Sequence, residues 1–422
     1  MAATADRPAT GRGAVEAIWR IESARLIAAL ARFTGDLGLA EDLAQDALVA
    51  ALERWPAAGL PPNPGGWLMT VAKNRAVDLF RRDATHQRAV ESLGHDVART
   101  AVPAADEKLD DNPVGDDELG LLFAACHPEL KREYRIALTL RCLAGLSTHE
   151  IASAFLVPDP VIGQRISRAK KTLRDKGIRL DLPSSEYLHA RLASVLEVIY
   201  LIFNEGYSAT SGEHWMRPEL SNDALRLARR TAALAPDLAE AQGLLALLEL
   251  TQARAPARHD RDGTPVLLQD QDRHRWDRLL IRRGMAALAR AHRLGSAGPY
   301  VLQAAIAGCH ALAPTAADTD WTRIAGLYDV LDRLRPNPVV TVNRAMAHGH
   351  ADGPLAGLAI LATLPPDTLD DYAQRHAVEA ELLAMAGRHS EARSAYARAA
   401  ALTQNHAERT LLHLRSATTT PP

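Results

Sequence analysis

Apolar positions recur at helical spacing along almost the whole chain. From Val15 to about Arg82 three such stretches follow one another with short breaks. The second opens after Thr34-Gly35-Asp36, and Leu39, Leu43, Ala47, Ala50 and Ala51 fall on one face of its string LAEDLAQDALVAALERW. AAGLPPNPGG then interrupts the pattern, because proline removes a backbone donor and glycine loosens the chain, and Trp67 is expected to open a third helix, WLMTVAKNRAVDLFRR. These stretches predict one helical domain over residues 14–87. Between Arg88 and Glu118 periodicity fades and nine acids face three bases, a net of -6, with Pro103 and Pro113. Such a composition cannot bury a core, so residues 88–115 are expected to be a flexible acidic linker. Helical spacing returns over 116–182. From 184 to 416 the chain is Ala/Leu-rich, with helix-length segments separated by APD at 235–237 and RPNP at 335–338, a repeat-like texture. The predicted fold class is all-α: two small helical domains joined by the linker, followed by a helical-repeat domain.

Composition supports this and narrows the classes. The 422 residues are about three times a usual domain length, and 47% are hydrophobic, enough for several cores. Aromatics are only 5% and β-branched runs are few, which suits stacked helices better than a sandwich or barrel. Lys and Arg number 49 against 51 Asp and Glu, so any nucleic-acid binding must come from local patches. Cys126, Cys142 and Cys309 lie far apart without C-x-x-C spacing, which argues against a disulfide framework or a cysteine zinc site and for a reducing compartment. The N-terminal MAATADRPATGRG lacks a signal-peptide core, and no run reaches the roughly 20 apolar residues of a membrane span. A cytoplasmic chain without membrane contact is expected.

The sharpest local signal is LAGLSTHEIASAFLVPDPVIGQRISRAKKTLRDKG, residues 143–177. Ser147 with Glu150 three residues on forms a capping box, and Ile151, Ala152 and Phe155 give a short helix its apolar face. A turn at LVPDP follows. Val161, Ile162, Ile166, Ala169 and Leu173 then make a buried stripe, leaving Gln164, Arg165, Ser167, Arg168, Lys171 and Arg174 on or beside the open face. This is a helix-turn-helix whose second helix suits a major groove. Over 157–181 seven bases face three acids, a net of +4. The third helix of the first domain is basic too, with Lys73, Arg75, Arg81 and Arg82. Trp67, Phe80 and Asn74 among these cations suit unstacked bases and phosphates, although rings at such positions are as often core residues.

The first 180 residues resemble a family. ARLIAALARFTGDLGLAEDLAQDALVAALERW followed by GGWLMTVAKNRAVDLFRR is similar to region two of bacterial extracytoplasmic-function (ECF) RNA polymerase sigma factors, and residues 143–174 resemble their region four. The resemblance implies that the helix bearing Asp42, Gln45, Asp46 and Glu53 docks on the β′ clamp helices of core RNA polymerase, which also contributes its β subunit. It implies that Trp67, Lys73, Asn74, Arg75, Arg81 and Arg82 meet the minus-ten element of promoter DNA, Asn74 and its neighbours handling a flipped base. By the same carry-over, the helix from Pro160 to Arg174 reads the minus-thirty-five element with Gln164, Arg165, Ser167, Arg168, Lys171 and Arg174.

In the C-terminal half, Ala380, Leu383, Gly387, Glu391, Ala392, Tyr396 and Ala399 follow the spacing of a tetratricopeptide (TPR) helix pair, with a weaker match from Ala224 to Pro236. VIYLIFNEGYSATSG, LLQDQDRHRWDRLLI and PNPVVTVNRAMA resemble the extension of one ECF subgroup that carries a fused TPR-like domain. That implies regulation in cis, with a protein or peptide partner in the helical groove. APARHDRDGTPVLLQDQDRHRW is expected to loop over the surface, with Asp270, Asp272, Arg273 and Arg275 exchanging charges.

Two other classes compete. An enzyme would need the polar string NEGYSATSGEH, with Glu205, Glu213 and His214, for acid/base or metal chemistry. No H-E-x-x-H, P-loop, nucleophile elbow or dinucleotide fingerprint accompanies it, so neither catalysis nor a cofactor is expected. A one-component helix-turn-helix regulator with a peptide-sensing repeat domain would explain the DNA-binding helix. It would not need the second basic helix with its Asn or the acidic docking helix.

Overall fold

The structure is a computed structural model that describes residues 8–91, 114–155, 157–180, 185–209, 211–212, 215–260, 263–295, 297–365 and 367–419. Among the described residues its regular elements are helices save for one two-residue strand pair and an isolated bridge. The chain divides into two units, residues 1–198 and 199–422.

The first unit begins with α1 (Pro8–Thr34), α2 (Leu37–Ala58) and α3 (Pro64–Glu91). Gly35, at φ 70°, makes the turn between the first two, and Asp36 caps α2 by accepting from the amides of Gly38 and Leu39 at 2.7 and 3.1 Å. Leu43, Ala47, Ala50 and Ala51 are buried as their spacing predicts, while Leu39 is half-buried. Helix α2 runs through Pro56 to Ala58, and α3 starts at Pro64, three residues before Trp67, because Asn63 caps it by accepting from the Gly66 amide at 2.9 Å. Since α3 reaches Glu91 and α4 (Val114–Ala125) begins at Val114, residues 88–91 and 114–115 are helical; the rest of the acidic stretch lies outside the described residues.

Helices α5 (Arg132–Cys142), α6 (Thr148–Phe155) and α7 (Asp159–Asp175) follow, then α8 (Ser185–Tyr207), within which the division between units falls. The N-terminal helices and the α4–α7 group share one interior. Leu26, Leu30, Leu121, Leu138 and Ile162 are all buried, and Arg32 pairs with Asp117 at 2.9 Å. The Ser194 hydroxyl of α8 donates to the Cys126 carbonyl at 2.6 Å. Burial pushes the Cys126 and Cys142 thiols up to about 12, and all three cysteines are free and buried.

The second unit is a run of antiparallel helices: α9 (Pro218–Leu234), α10 (Ala239–Gln252), α11 (Arg278–Arg293), α12 (Pro299–Leu312), α13 (Trp321–Leu334), α14 (Pro338–Ala351), α15 (Pro354–Leu361), α16 (Ala373–Met385), α17 (His389–Leu402) and α18 (His406–Thr418). Small residues set the spacing. A Cβ at Gly243 of α10 would stand 2.8 Å from the Val301 amide nitrogen, so α10 and α12 approach as they do only with glycine there. Glu240 spans the same pair, accepting from the Tyr300 and Val301 amides at 3.0 and 3.2 Å. In α16 and α17, Ala380, Leu383, Ala392, Tyr396 and Ala399 are buried, and Gly387 turns between the helices at φ 75°, as the tetratricopeptide spacing predicts.

The start and end of this unit meet. Strand β1 (Ser211–Gly212) pairs in parallel with β2 (Gln404–Asn405). Asn405, 2% exposed, donates from Nδ2 to the Ala209 carbonyl at 3.0 Å while its Oδ1 caps α18. The charged stretch 255–276 is in part the surface loop expected from sequence, with His259, Asp260, Asp270, Asp272 and Arg275 exposed, but it is anchored in the core and its charges are not exchanged as expected. Ala257 and Trp276 are buried with Leu250, Ala253, Ile281 and Ala311. Arg273 and Arg275, rather than exchanging charge with Asp270 and Asp272, donate to main-chain carbonyls: Arg273 to His310 and Ala313, Arg275 to His259.

Candidate nucleic-acid interface

The helix-turn-helix is built as its sequence dictates. The Ser147 hydroxyl accepts from the Glu150 amide at 3.1 Å, and the Glu150 carboxylate accepts from the Ser147 amide at 2.7 Å, closing the capping box. Helix α7 starts with Pro160 in its first turn, where a missing amide costs nothing. Ile162, Ile166, Ala169 and Leu173 are buried and Val161 half-buried. Fixing those residues inward turns Gln164, Ser167, Arg168, Lys171 and Arg174 outward, all exposed, with Arg165 half-buried at the edge. The result is a cationic ridge with two short polar side chains, the composition that meets phosphates and base edges.

The basic face of α3 is more mixed. Asn74, Arg81 and Arg82 are exposed and Lys73 half-buried. Arg75 pairs with Asp46 of α2 at 2.9 Å. Trp67 is half-buried with its ring edge against Trp55, centroids 5.3 Å apart, and Phe80 lies against Phe33 at 6.0 Å. Both rings thus contribute to packing. On α2, Asp42, Gln45, Asp46 and Glu53 are exposed and, with Val49 between them, form an acidic strip opposite the buried face.

The two groups are joined by ions that sequence reasoning did not single out. Glu41, 4% exposed, accepts from Arg141 of α5 and forms an ion pair with Lys170 of α7, each at 2.5 Å. Arg174 reaches Asp36 at 3.0 Å. Burial alone would raise the Glu41 carboxyl, but Lys170 and Arg141 outweigh it and hold the group below its ordinary range. The available signal was a glutamate inside the apolar face of α2, between Leu37, Ala40 and Ala44. Of the polar string considered as a possible enzyme site, Glu205 is buried and paired with Arg217, while residues 213 and 214 lie outside the described residues. Among the described residues no three His, Cys, Asp or Glu side chains gather to hold a metal, and no helix is long and apolar enough to cross a membrane.

Comparison with known proteins agrees with this geometry. Residues 20–86 match the family model for sigma-70 region 2 and residues 121–173 that for sigma-70 region 4, while 191–292 match a family of unknown function. An uncharacterized protein of Rhizobium meliloti is 42% identical over 92% of this chain and 91% of its own length. The "Probable ECF RNA polymerase sigma factor SigI" of Mycobacterium tuberculosis is 25% identical over 41% of this chain and 59% of its own. The ECF RNA polymerase sigma factor SigE of Mycolicibacterium smegmatis is 31% identical over 41% of this chain and 66% of its own. No solved structure matches.

Proposed function

Because this chain belongs to the ECF RNA polymerase sigma factors, we propose that it binds core RNA polymerase in the cytoplasm and directs it to promoters, its second unit regulating that activity in cis. The observation that carries this reading is the exposed face of α7, where Arg168 and Lys171 stand with Gln164 and Ser167 over the buried Ile162, Ile166, Ala169 and Leu173. In this reading α7 lies in the major groove at the minus-thirty-five element, with Gln164, Arg165 and Ser167 toward base edges and Arg168, Lys171 and Arg174 toward phosphates. Asp42, Gln45, Asp46 and Glu53 meet the β′ clamp helices, with β as the second contact. Asn74 holds a base drawn from the minus-ten stack, flanked by Trp67, Lys73, Arg75, Arg81 and Arg82. The chemistry of RNA synthesis stays with the polymerase. A protein or peptide on the helical surface of the second unit supplies the regulatory signal.

Run-off transcription with core polymerase tests the reading. Arg168→Ala and Lys171→Ala should each weaken promoter binding, and the slope of log affinity against log salt should flatten by up to roughly one for each phosphate no longer neutralised. Binding unchanged in both variants would overturn the assignment of α7. Asn74→Ala should slow open-complex formation more than it weakens duplex binding, and equal losses would make Asn74 a packing residue only.

A further inference from the structure

We propose that the second unit contains an oxyanion site centred on Arg254, taking a small ligand with a phosphate or carboxylate group. Three arginines gather where the stretch after α10 crosses the helices. Arg258 is buried, its guanidinium stacked 3.9 Å from the Tyr207 ring centroid and bonded to the Tyr207 carbonyl. Arg273 is also buried, donating to the His310 and Ala313 carbonyls at 2.6 and 2.7 Å and to the Thr319 hydroxyl at 3.2 Å. Among the described residues neither forms an ion pair with a carboxylate. Arg254 is half-buried, 5.8 Å from the Tyr207 ring, and its guanidinium has neither hydrogen bond nor ion pair among the described residues.

Like charges do not collect in a partly dry place without compensation. Burial and then the Arg254 charge depress His310, pushed down to about 3, so its ring is neutral; Arg258 is pushed down to about 10 mainly by burial. The donors around this charge are left waiting. Nε of Arg273 and Nε1 of Trp276 are buried without an acceptor, and Nδ1 of His310 is buried without a partner. Arg273 lies 4.8 Å from the Trp276 ring and is bonded to His310's own carbonyl, so these orphaned atoms belong to one neighbourhood. An oxyanion supplies what is missing: a negative charge for Arg254 and acceptors for several N–H groups at once.

The full-length chain is titrated calorimetrically with inorganic phosphate and, separately, with citrate at matched ionic strength. Saturable uptake of one equivalent of either anion is expected, and which one binds separates a phosphate ligand from a carboxylate ligand. Arg254→Gln should weaken that binding by about tenfold or more, while Arg293→Gln, an exposed cation on the same unit, should leave it unchanged. Without ligand, Arg254→Gln should melt no lower than the native chain, since it relieves repulsion among cations. No saturable binding of either anion, equal binding by Arg254→Gln, or a lower melting temperature of that variant without ligand would each overturn the proposal.

Discussion

Glu41 is the residue on which the first unit turns. It sits on the apolar face of α2 yet carries a charge, because α5 and α7 each bring a cation to it. Removing one member of a largely buried ionic group leaves the others uncompensated, so Glu41→Gln should destabilise the chain by about 2–4 kcal/mol in urea titration at neutral pH. The pH dependence has a definite sign. The folded carboxyl is held below its ordinary value of 4.5, so the stabilisation is fully present above about pH 4.5 and is lost as pH falls through the lower folded value. The native chain should lose stability across that acid window, and Glu41→Gln should lose less. Equal acid sensitivity in both would place the titrating group elsewhere. The same chemistry touches α7, for Arg174 on its exposed side is engaged with Asp36 through Nε. Under the proposed DNA reading, a phosphate that takes Arg174 competes with that carboxylate.

Among the elements, the short parallel pair of β1 and β2 depends on one side chain. Asn405 both donates to Ala209 and caps α18, so Asn405→Ala should cost about 1–3 kcal/mol in thermal or urea unfolding, whereas Asn405→Asp keeps the cap but sets a buried carboxylate oxygen against the Ala209 carbonyl. Equal stability of the native chain and Asn405→Ala would mean that this junction is incidental. Such a meeting of residues almost two hundred positions apart is not legible in the sequence. Local signals are. Gly35-Asp36 before α2, the Ser147–Glu150 box and the Ile162 to Leu173 stripe mark the helices of the first unit and the open face of α7, because capping and periodicity act within one or two turns. Two local signals mislead. Trp67 looks like the start of α3 only while the asparagine before Pro64 goes unweighed, and the buried part of the charged stretch 255–276 reads as surface because arginines such as Arg258 and Arg273 that bond carbonyls look like arginines that meet water. The ion pairs from α7 to α2 join residues over a hundred positions apart, where periodicity says nothing.

At the scale of the whole molecule, α8 belongs to two accounts. Before the division at Val198 it serves the first unit, where Ser194 meets the Cys126 carbonyl and Glu197 faces Arg132 and Arg135 at 3.8 and 3.6 Å. A chain cut after Pro183 should therefore melt lower than one cut after Val198, by about 3–8 °C for the loss of roughly 1–3 kcal/mol of such links. If the two cuts melt together, α8 contributes nothing to the first unit. Comparing transcription by the longer truncation with that by the full chain then tests the proposed regulation in cis without confusing it with unfolding. The meeting of β1 with β2 has a consequence in time. A row of stacked helices can ordinarily settle pair by pair as it leaves the ribosome. Here the seam needs Gln404 and Asn405, almost two hundred residues after Ser211 and Gly212, so the unit stays unlatched until those residues have been made, and a nascent chain stalled before them offers the proteolytic machinery an open edge.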